Sequence, residues 1–321
     1  MKKLCSLLLA AMLLLTAACG AKTALPAEED RLIIVTTIFP EYDWVRCVLG
    51  DEAAHADVTL LLGTGVDMHS FQPSAADIVK VADCDLFVYI GGESDAWTED
   101  ALAEAVNPDR IAVNLMDVLG SAAVAEEFTE GMTAAEVSET DGPEVDEHVW
   151  LSLRNAKAAC AALAEALAAL DPEHADEYRE NAAAYGAELS ALDAEYAGLC
   201  ASAAHDTLLF GDRFPFRYLC EDYGLSYYAA FPGCSAETEA SFETVAFLAG
   251  KLQELDLPAV LVTESADKRI AETILENAGG DRPILALDSM QSVTAADAAD
   301  GMTYLHIMEH NLAVLSAALN G

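Results

Sequence analysis

Two histidines stand in settings suited to holding a ligand. His69 lies in residues 60–74, LLLGTGVDMHSFQPS, just after the apolar run at 58–62 and a turn containing Gly63, Gly65 and Asp67, with Pro73 four residues further on. The run reads as a buried strand and the turn as the loop leaving it. The carboxyl end of a strand is where open α/β proteins place ligand groups. Alone, such a histidine reads more readily as a solvated loop side chain than as a ligand, because surface loops are polar. His148 is the second, in EHVWL at 147–151, beside a tryptophan at the end of a long acidic segment. Imidazole nitrogens combined with carboxylate oxygens form a donor set that zinc and manganese take readily. The same set can activate water in a metallohydrolase. The chain has no H-E-x-x-H and no Ser/His/Asp set of recognisable spacing to support that alternative.

The elements that would position these residues alternate. Apolar runs at 32–36, 58–62, 85–90 and 111–114 read as strands, with helices at 40–49, 74–82 and 97–106 between them. Ser74 and Asp77 form a short capping box. Strands expected at 207–210, 225–230, 259–263 and 284–287 repeat the pattern with helices at 242–255, 268–278 and 304–319. This is an α/β chain with two parallel-sheet βα lobes. Between them an Ala-rich helix over 155–170 precedes the most helical stretch, 172–203, which at 1.5 Å per residue would span about 45 Å, longer than one lobe. The expected organisation is a first lobe at 31–170, a linking helix at 171–204 and a second lobe at 205–321. Residues 121–147, acidic with scattered Gly and Pro, read as a mobile loop. Glu264 ends the third strand of the second lobe, and Glu41 follows the first strand of the chain. Each could orient a metal-bound imidazole, or simply cap the helix that follows it.

Composition narrows the partners. The chain has 55 acidic and 16 basic residues in 321, a formal charge of −39. A nucleic-acid phosphate backbone would be repelled; cations would be attracted, although much of such charge serves solubility. Residues 1–18 read as a lipoprotein signal peptide: Lys2 and Lys3, an apolar core, then small residues before Cys19, the candidate for lipidation. Residues 19–30 would be a tether. None of the eight cysteines forms a C-x-x-C pair, so a thiolate zinc cluster of the usual spacing is absent. Cys84, Cys160 and Cys220 sit in apolar surroundings as core residues would, and one or two disulfides are compatible with an exported protein.

Several stretches occur in one order: VTTIFPEYDWV at 35–45, GVDMHSFQPSAADI at 65–78, DLFVYIGG at 85–92, EHVWLSLRNA at 147–156, FRYLCEDYGL at 216–225, ETEASFETVAFLAGKL at 237–252 and ALDSM at 286–290. In this set the chain resembles the metal-binding lipoproteins of zinc and manganese ABC importers, solute-binding proteins with a rigid linking helix. The resemblance implies a Zn²⁺ or Mn²⁺ site in a cleft between the lobes, with His69 and His148 as the first two ligands and Asp288 as the fourth. The usual third ligand falls on Arg213, whose guanidinium stays protonated and cannot bind metal. Asp212 is the nearest competent donor, and a set of two His and two Asp would lean towards manganese. The resemblance further implies an extracytoplasmic protein, lipid-anchored to a bacterial cell membrane, monomeric, that delivers its metal to an ABC permease with only limited hinge closure. Surface adhesion is an alternative role that would coexist with metal binding. Protonation of the two imidazoles below about pH 6 is expected to weaken binding.

Overall fold

In a computed structural model, the structure describes residues 31–104, 106–132, 145–235 and 239–321. The leader, the tether and the middle of the acidic loop lie outside the described residues. Leu32–Gly321 forms one compact unit.

The first half alternates as its apolar runs require: β1 (Leu32–Thr36), α1 (Phe39–Leu49), β2 (Ala56–Leu60), α2 (Ala75–Asp83), β3 (Leu86–Tyr89), α3 (Trp97–Ala103), β4 (Ile111–Asn114) and α4 (Leu115–Leu119). The four strands are parallel in the order β2-β1-β3-β4. Two helices follow, α5 (Leu153–Leu170) and α6 (Ala175–Ser202). The second half carries β5 (Thr207–Phe214), α7 (Arg217–Tyr223), β6 (Ser226–Pro232), α8 (Phe242–Glu254), β7 (Val260–Thr263), α9 (Arg269–Ala278), β8 (Ile284–Leu287), α10 (Ala295–Ala299) and α11 (Tyr304–Asn320). Its strands are parallel in the order β6-β5-β7-β8, the same arrangement as in the first sheet. Every crossover passes through a helix, as parallel pairing demands.

Helix α6 buries one stripe, Tyr178, Ala182, Tyr185, Leu189, Leu192 and Tyr196. At 28 residues it spans about 42 Å, long enough to pack on α5 and α1 at one end and reach α11 at the other. Tyr196 Oη donates to the Met308 carbonyl at 2.6 Å, and Asn181 Nδ2 to that of Val48 at 3.1 Å. One buried cluster runs through both halves, from Ile34 and Trp44 through Trp150 to Phe210, Leu287 and Tyr304. Trp150 Nε1 donates to the Ser289 carbonyl at 2.9 Å, and Tyr304 Oη donates to the Trp150 carbonyl at 2.7 Å. A shared core of this kind resists wide hinge opening.

The flanks of the acidic segment are docked, which corrects the mobile-loop expectation for them. Val124 N–H donates to Tyr218 Oη at 3.1 Å, Asp146 N–H to the Val124 carbonyl at 2.9 Å, and Arg217 pairs with Glu127. These contacts tie the segment to α7 in the second half. No described helix is long and apolar enough to cross a membrane. The cysteines at 47, 84, 160, 200, 220 and 234 are all free thiols, so none of the one or two disulfides that the composition allowed forms among the described residues.

Asp43 offers a test of this core. Its carboxylate accepts the Tyr304 N–H at 2.9 Å, yet burial pushes its pKa from 3.8 up to about 6. The folded chain therefore holds this proton more tightly than the unfolded chain. The stabilisation is complete below about pH 4 and lost as pH rises through about 6. Asp43→Asn keeps the acceptor and removes the charge. In chemical denaturation the variant is expected to be up to about 3 kcal/mol more stable than the parent at pH 7.5, by the 1.36 kcal/mol equivalent of each pKa unit. The difference should vanish at pH 4.

Candidate metal centre

The loop after β2 turns through Gly65, whose φ of +74° would strain any side chain and where a Cβ would crowd the Ser292 carbonyl at 3.1 Å. A single 3₁₀ turn, Met68–Ser70, then presents His69, with Asp67 accepting the His69 N–H at 3.0 Å. His148 sits at the start of another 3₁₀ turn, Val149–Leu151, fully buried with its ring against Trp150. The Nε2 atoms of His69 and His148 lie 3.2 Å apart.

Each ring is held from behind by its Nδ1. Asp146 Oδ1 accepts both the backbone N–H of His148 and its Nδ1–H, each at 2.9 Å. That carboxylate assigns the proton to Nδ1 and leaves the Nε2 lone pair facing the site. His69 Nδ1 meets Ser94 Oγ at 2.8 Å. Ser94 is itself fixed by donating its N–H to Glu147 Oε1 at 2.8 Å. Gly92, at φ +88°, makes room for Glu147: a Cβ there would come within 2.4 Å of Oε1. The second carboxylate oxygen of Glu147 is buried without a hydrogen-bond partner, 3.7 Å from His69 Nδ1.

With Ser94 Oγ–H donating to its Nδ1, His69 carries its proton on Nε2 and donates it to His148 Nε2; shifting that proton to Nδ1 frees both lone pairs for a cation. Burial, and then the neighbouring His148, push the His69 imidazole down from 6.5 to about 3. The expectation that its protonation sets in below about pH 6 is corrected accordingly: the burial that shapes the site keeps this ring neutral. Behind the rings, burial also raises Glu147, Asp95 (to about 7) and Glu41 above the ordinary carboxyl range. The charge of Glu147 adds to the shift of Asp95, and that of Asp95 to the shift of Glu41.

A third donor joins the histidines, and it is not the expected one. Among the described residues, one nitrogen each of His69 and His148 and the Sγ of Cys234 lie within 4.8 Å of one another. Asp212 is placed elsewhere. Its Oδ2 accepts the Thr263 N–H at 3.0 Å and the Thr263 hydroxyl, which fastens β5 to β7. β5 carries a register break against β6 between Phe210 and Arg213, and it does not carry Asp212 to the imidazoles. Arg213 pairs with Asp67 at 2.6 Å, bridging the two halves of the molecule. Asp67 is raised by burial, but the guanidinium more than offsets this and holds it below the ordinary carboxylate range.

Asp288 stands in the loop after β8 and is not among the three gathered donors. Its Oδ1 accepts the Met290 N–H at 2.7 Å, and burial with the Glu264 charge raises its pKa from 3.8 to about 6. Glu264 touches neither imidazole; its carboxylate accepts the N–H and hydroxyl of both Ser289 and Ser292, organising the loop that carries Asp288. Glu41 is a cap: its Oε2 accepts from Thr37 N, Thr37 Oγ1 and Ile38 N at 2.8, 2.9 and 3.3 Å. The role of orienting an imidazole, open for Glu264 and Glu41 from their positions after strands, is filled instead by Asp146 and Ser94.

Comparison with known proteins agrees with this architecture. The family model for ZnuA, zinc-uptake complex component A, periplasmic, matches residues 34–318. The zinc-binding lipoprotein AdcA of Streptococcus pneumoniae (strain TIGR4) is 33% identical over 98% of the chain, which spans 60% of that relative's length. The high-affinity zinc uptake system protein ZnuA of Bacillus subtilis is 27% identical, covering 97% of this chain and 96% of its own. The solved Zn(II)-bound ZnuA-like domain of S. pneumoniae AdcA superposes with a TM-score of 0.70 at 28% identity, covering 91% of this chain and all of that domain. With nearly the whole folded unit matched, this chain belongs to the ZnuA family, the periplasmic component A of zinc-uptake complexes.

Proposed function

We propose that the protein captures Zn²⁺ outside the cytoplasm, between its two lobes, and delivers it to the permease of an ABC importer. The observation that carries this reading is the pair of Nε2 atoms 3.2 Å apart, each ring fixed through its Nδ1. Two nitrogens on one tetrahedral zinc, at bonds of about 2.0–2.1 Å, sit roughly 3.3 Å apart. That separation matches the 3.2 Å between the two Nε2 atoms and supports zinc as the cargo. The names of the relatives, a zinc-binding lipoprotein and a zinc uptake component, support the cargo and the importer.

His69 and His148 are the proposed first ligands. Asp288 is proposed as the fourth, reached by a small approach of the second lobe, because its Oδ1 accepts the Met290 N–H while its Oδ2 accepts no hydrogen bond among the described residues. Tethering through an acylated Cys19 would keep the carrier at the membrane surface beside its permease. The calorimetric test titrates Zn²⁺ into the metal-free protein and its His69→Ala variant. One tight site is expected in the parent, lost by more than about 100-fold in the variant, beyond the usual cost of removing an outer-shell partner. Several weak sites indifferent to His69 would mean that surface charge alone attracts the cation.

A further inference from the structure

We propose that Cys234 supplies a thiolate ligand to the cargo ion, from the position that Arg213 leaves empty. This deepens the zinc reading above and rests on it. Three independent features support the assignment. First, β6 runs beside β5 with Phe231 opposite Arg213, so the turn after β6 emerges on the same rim as the strand that would otherwise supply the third donor. Second, Gly233 gives that turn its close approach: a Cβ there would stand 2.9 Å from both His148 Cε1 and the Phe214 carbonyl. Cys234 N–H then donates to Glu126 Oε1 at 3.0 Å, which fixes the turn to the docked flank of the acidic segment. Third, a cavity of about 570 Å³ is lined by His69, Ser94, Glu147 and Cys234 together. Glu147, on that lining, keeps one buried carboxylate oxygen with no hydrogen-bond partner, 3.7 Å from His69 Nδ1.

The remaining cysteines differ in setting. Cys47, Cys160, Cys200 and Cys220 lie on helices and Cys84 caps one. Cys234 alone among the described cysteines sits in a turn following a strand.

On binding, the S–H bond breaks and a Zn–S bond forms, with the proton leaving to solvent. Burial and the charges of Glu126, Asp146 and Glu147 hold the free thiol above its ordinary value. A dication placed among the same carboxylates reverses that balance. Thiolate sulfur is a soft donor and favours Zn²⁺ over the harder Mn²⁺. The two-His, one-Cys set therefore reverses the manganese preference that two carboxylates would have given. The Arg213–Asp67 ion pair then fastens the lobes at a point where the metal does not.

The test replaces Zn²⁺ by Co²⁺, whose bonds to thiolate give a near-ultraviolet charge-transfer band. Parent, Cys234→Ser, Cys234→Ala and His69→Ala proteins share every other thiol, so difference spectra report on Cys234. The band should appear at one equivalent of Co²⁺ in the parent and be missing from both Cys234 variants. Zn²⁺ affinity should fall by more than about 100-fold in those variants, and Mn²⁺ affinity by much less. Equal thermal unfolding of the metal-free proteins checks that the fold is intact. If the Cys234 variants keep the band and bind Zn²⁺ within twofold of the parent while His69→Ala loses both, the thiolate assignment is wrong and the zinc site stands. If His69→Ala is also unchanged, both readings fall.

Discussion

Replacing Trp150 by alanine is expected to cost about 3–5 kcal/mol of folding stability, the range for deleting a large buried aromatic. In a unit of this size that corresponds to a fall in melting temperature of roughly 5–8 °C. Trp150 has no exposed surface, and it joins three parts of the molecule. Its indole N–H reaches the Ser289 carbonyl in the second half, its own carbonyl accepts from Tyr304 on α11, and its ring lies 5.2 Å from that of His148. Trp150→Phe separates packing from hydrogen bonding. It retains most of the ring contact but leaves the Ser289 carbonyl unpaired, at about 1–3 kcal/mol. Zinc affinity should follow the same order, parent above Phe above Ala, because the ring fixes one side of His148. A Trp150→Ala protein that melts with the parent would mean that the two halves do not share a core.

The parallel sheets were legible because strands covered on both faces read as unbroken apolar runs. β4 and β8 fall where those runs lie, and the capping box at Ser74 and Asp77 forms as expected. β2 begins two residues earlier than its most apolar stretch. Its register against β1, Leu32 to Ala56 through Thr36 to Leu60, is set by backbone pairing rather than by side-chain hydrophobicity. The short helices α4, α7 and α10 carry too few turns to leave a periodic signal.

The two histidines were also legible, since each stands on a loop and neither fits an apolar stripe. The third donor was not. Counting along β5 leads to Arg213 and Asp212, but the thiol arrives on the neighbouring strand, and which strands are neighbours is a property of the sheet rather than of spacing in the chain. A local signal did exist: Pro232, Gly233 and Ser235 around Cys234 mark a turn, an unusual place for a core thiol. The supports at Asp146 and Ser94 carry no sequence signal of their own. Asp146 lies within an acidic run where no single carboxylate stands out, and Ser94 lies 25 residues from the ring it holds.

Zinc at about a thousand times its dissociation constant is expected to raise the stability of the protein by about 4 kcal/mol, since a ligand bound only by the folded chain stabilises it by mass action. The melting temperature should rise by roughly 7 °C and return to its starting value on addition of a chelator. His69 and His148 come from the first half and Cys234 from the second, so no stretch of unfolded chain offers the same donors together. The shared core through Trp150 and Tyr304 already holds the halves in register. Metal binding should therefore stabilise without large rearrangement, and the denaturant m-value should stay within error of the metal-free value. A charge of −39 attracts any dication, and Mg²⁺ provides the control. Mg²⁺ prefers oxygen ligands and gives up its waters reluctantly, so at the same concentration it should produce little shift. A Mg²⁺ shift equal to that of zinc, or a zinc shift that survives His69→Ala, would assign the stabilisation to screening of the acidic surface and leave the imidazole pair without a cargo.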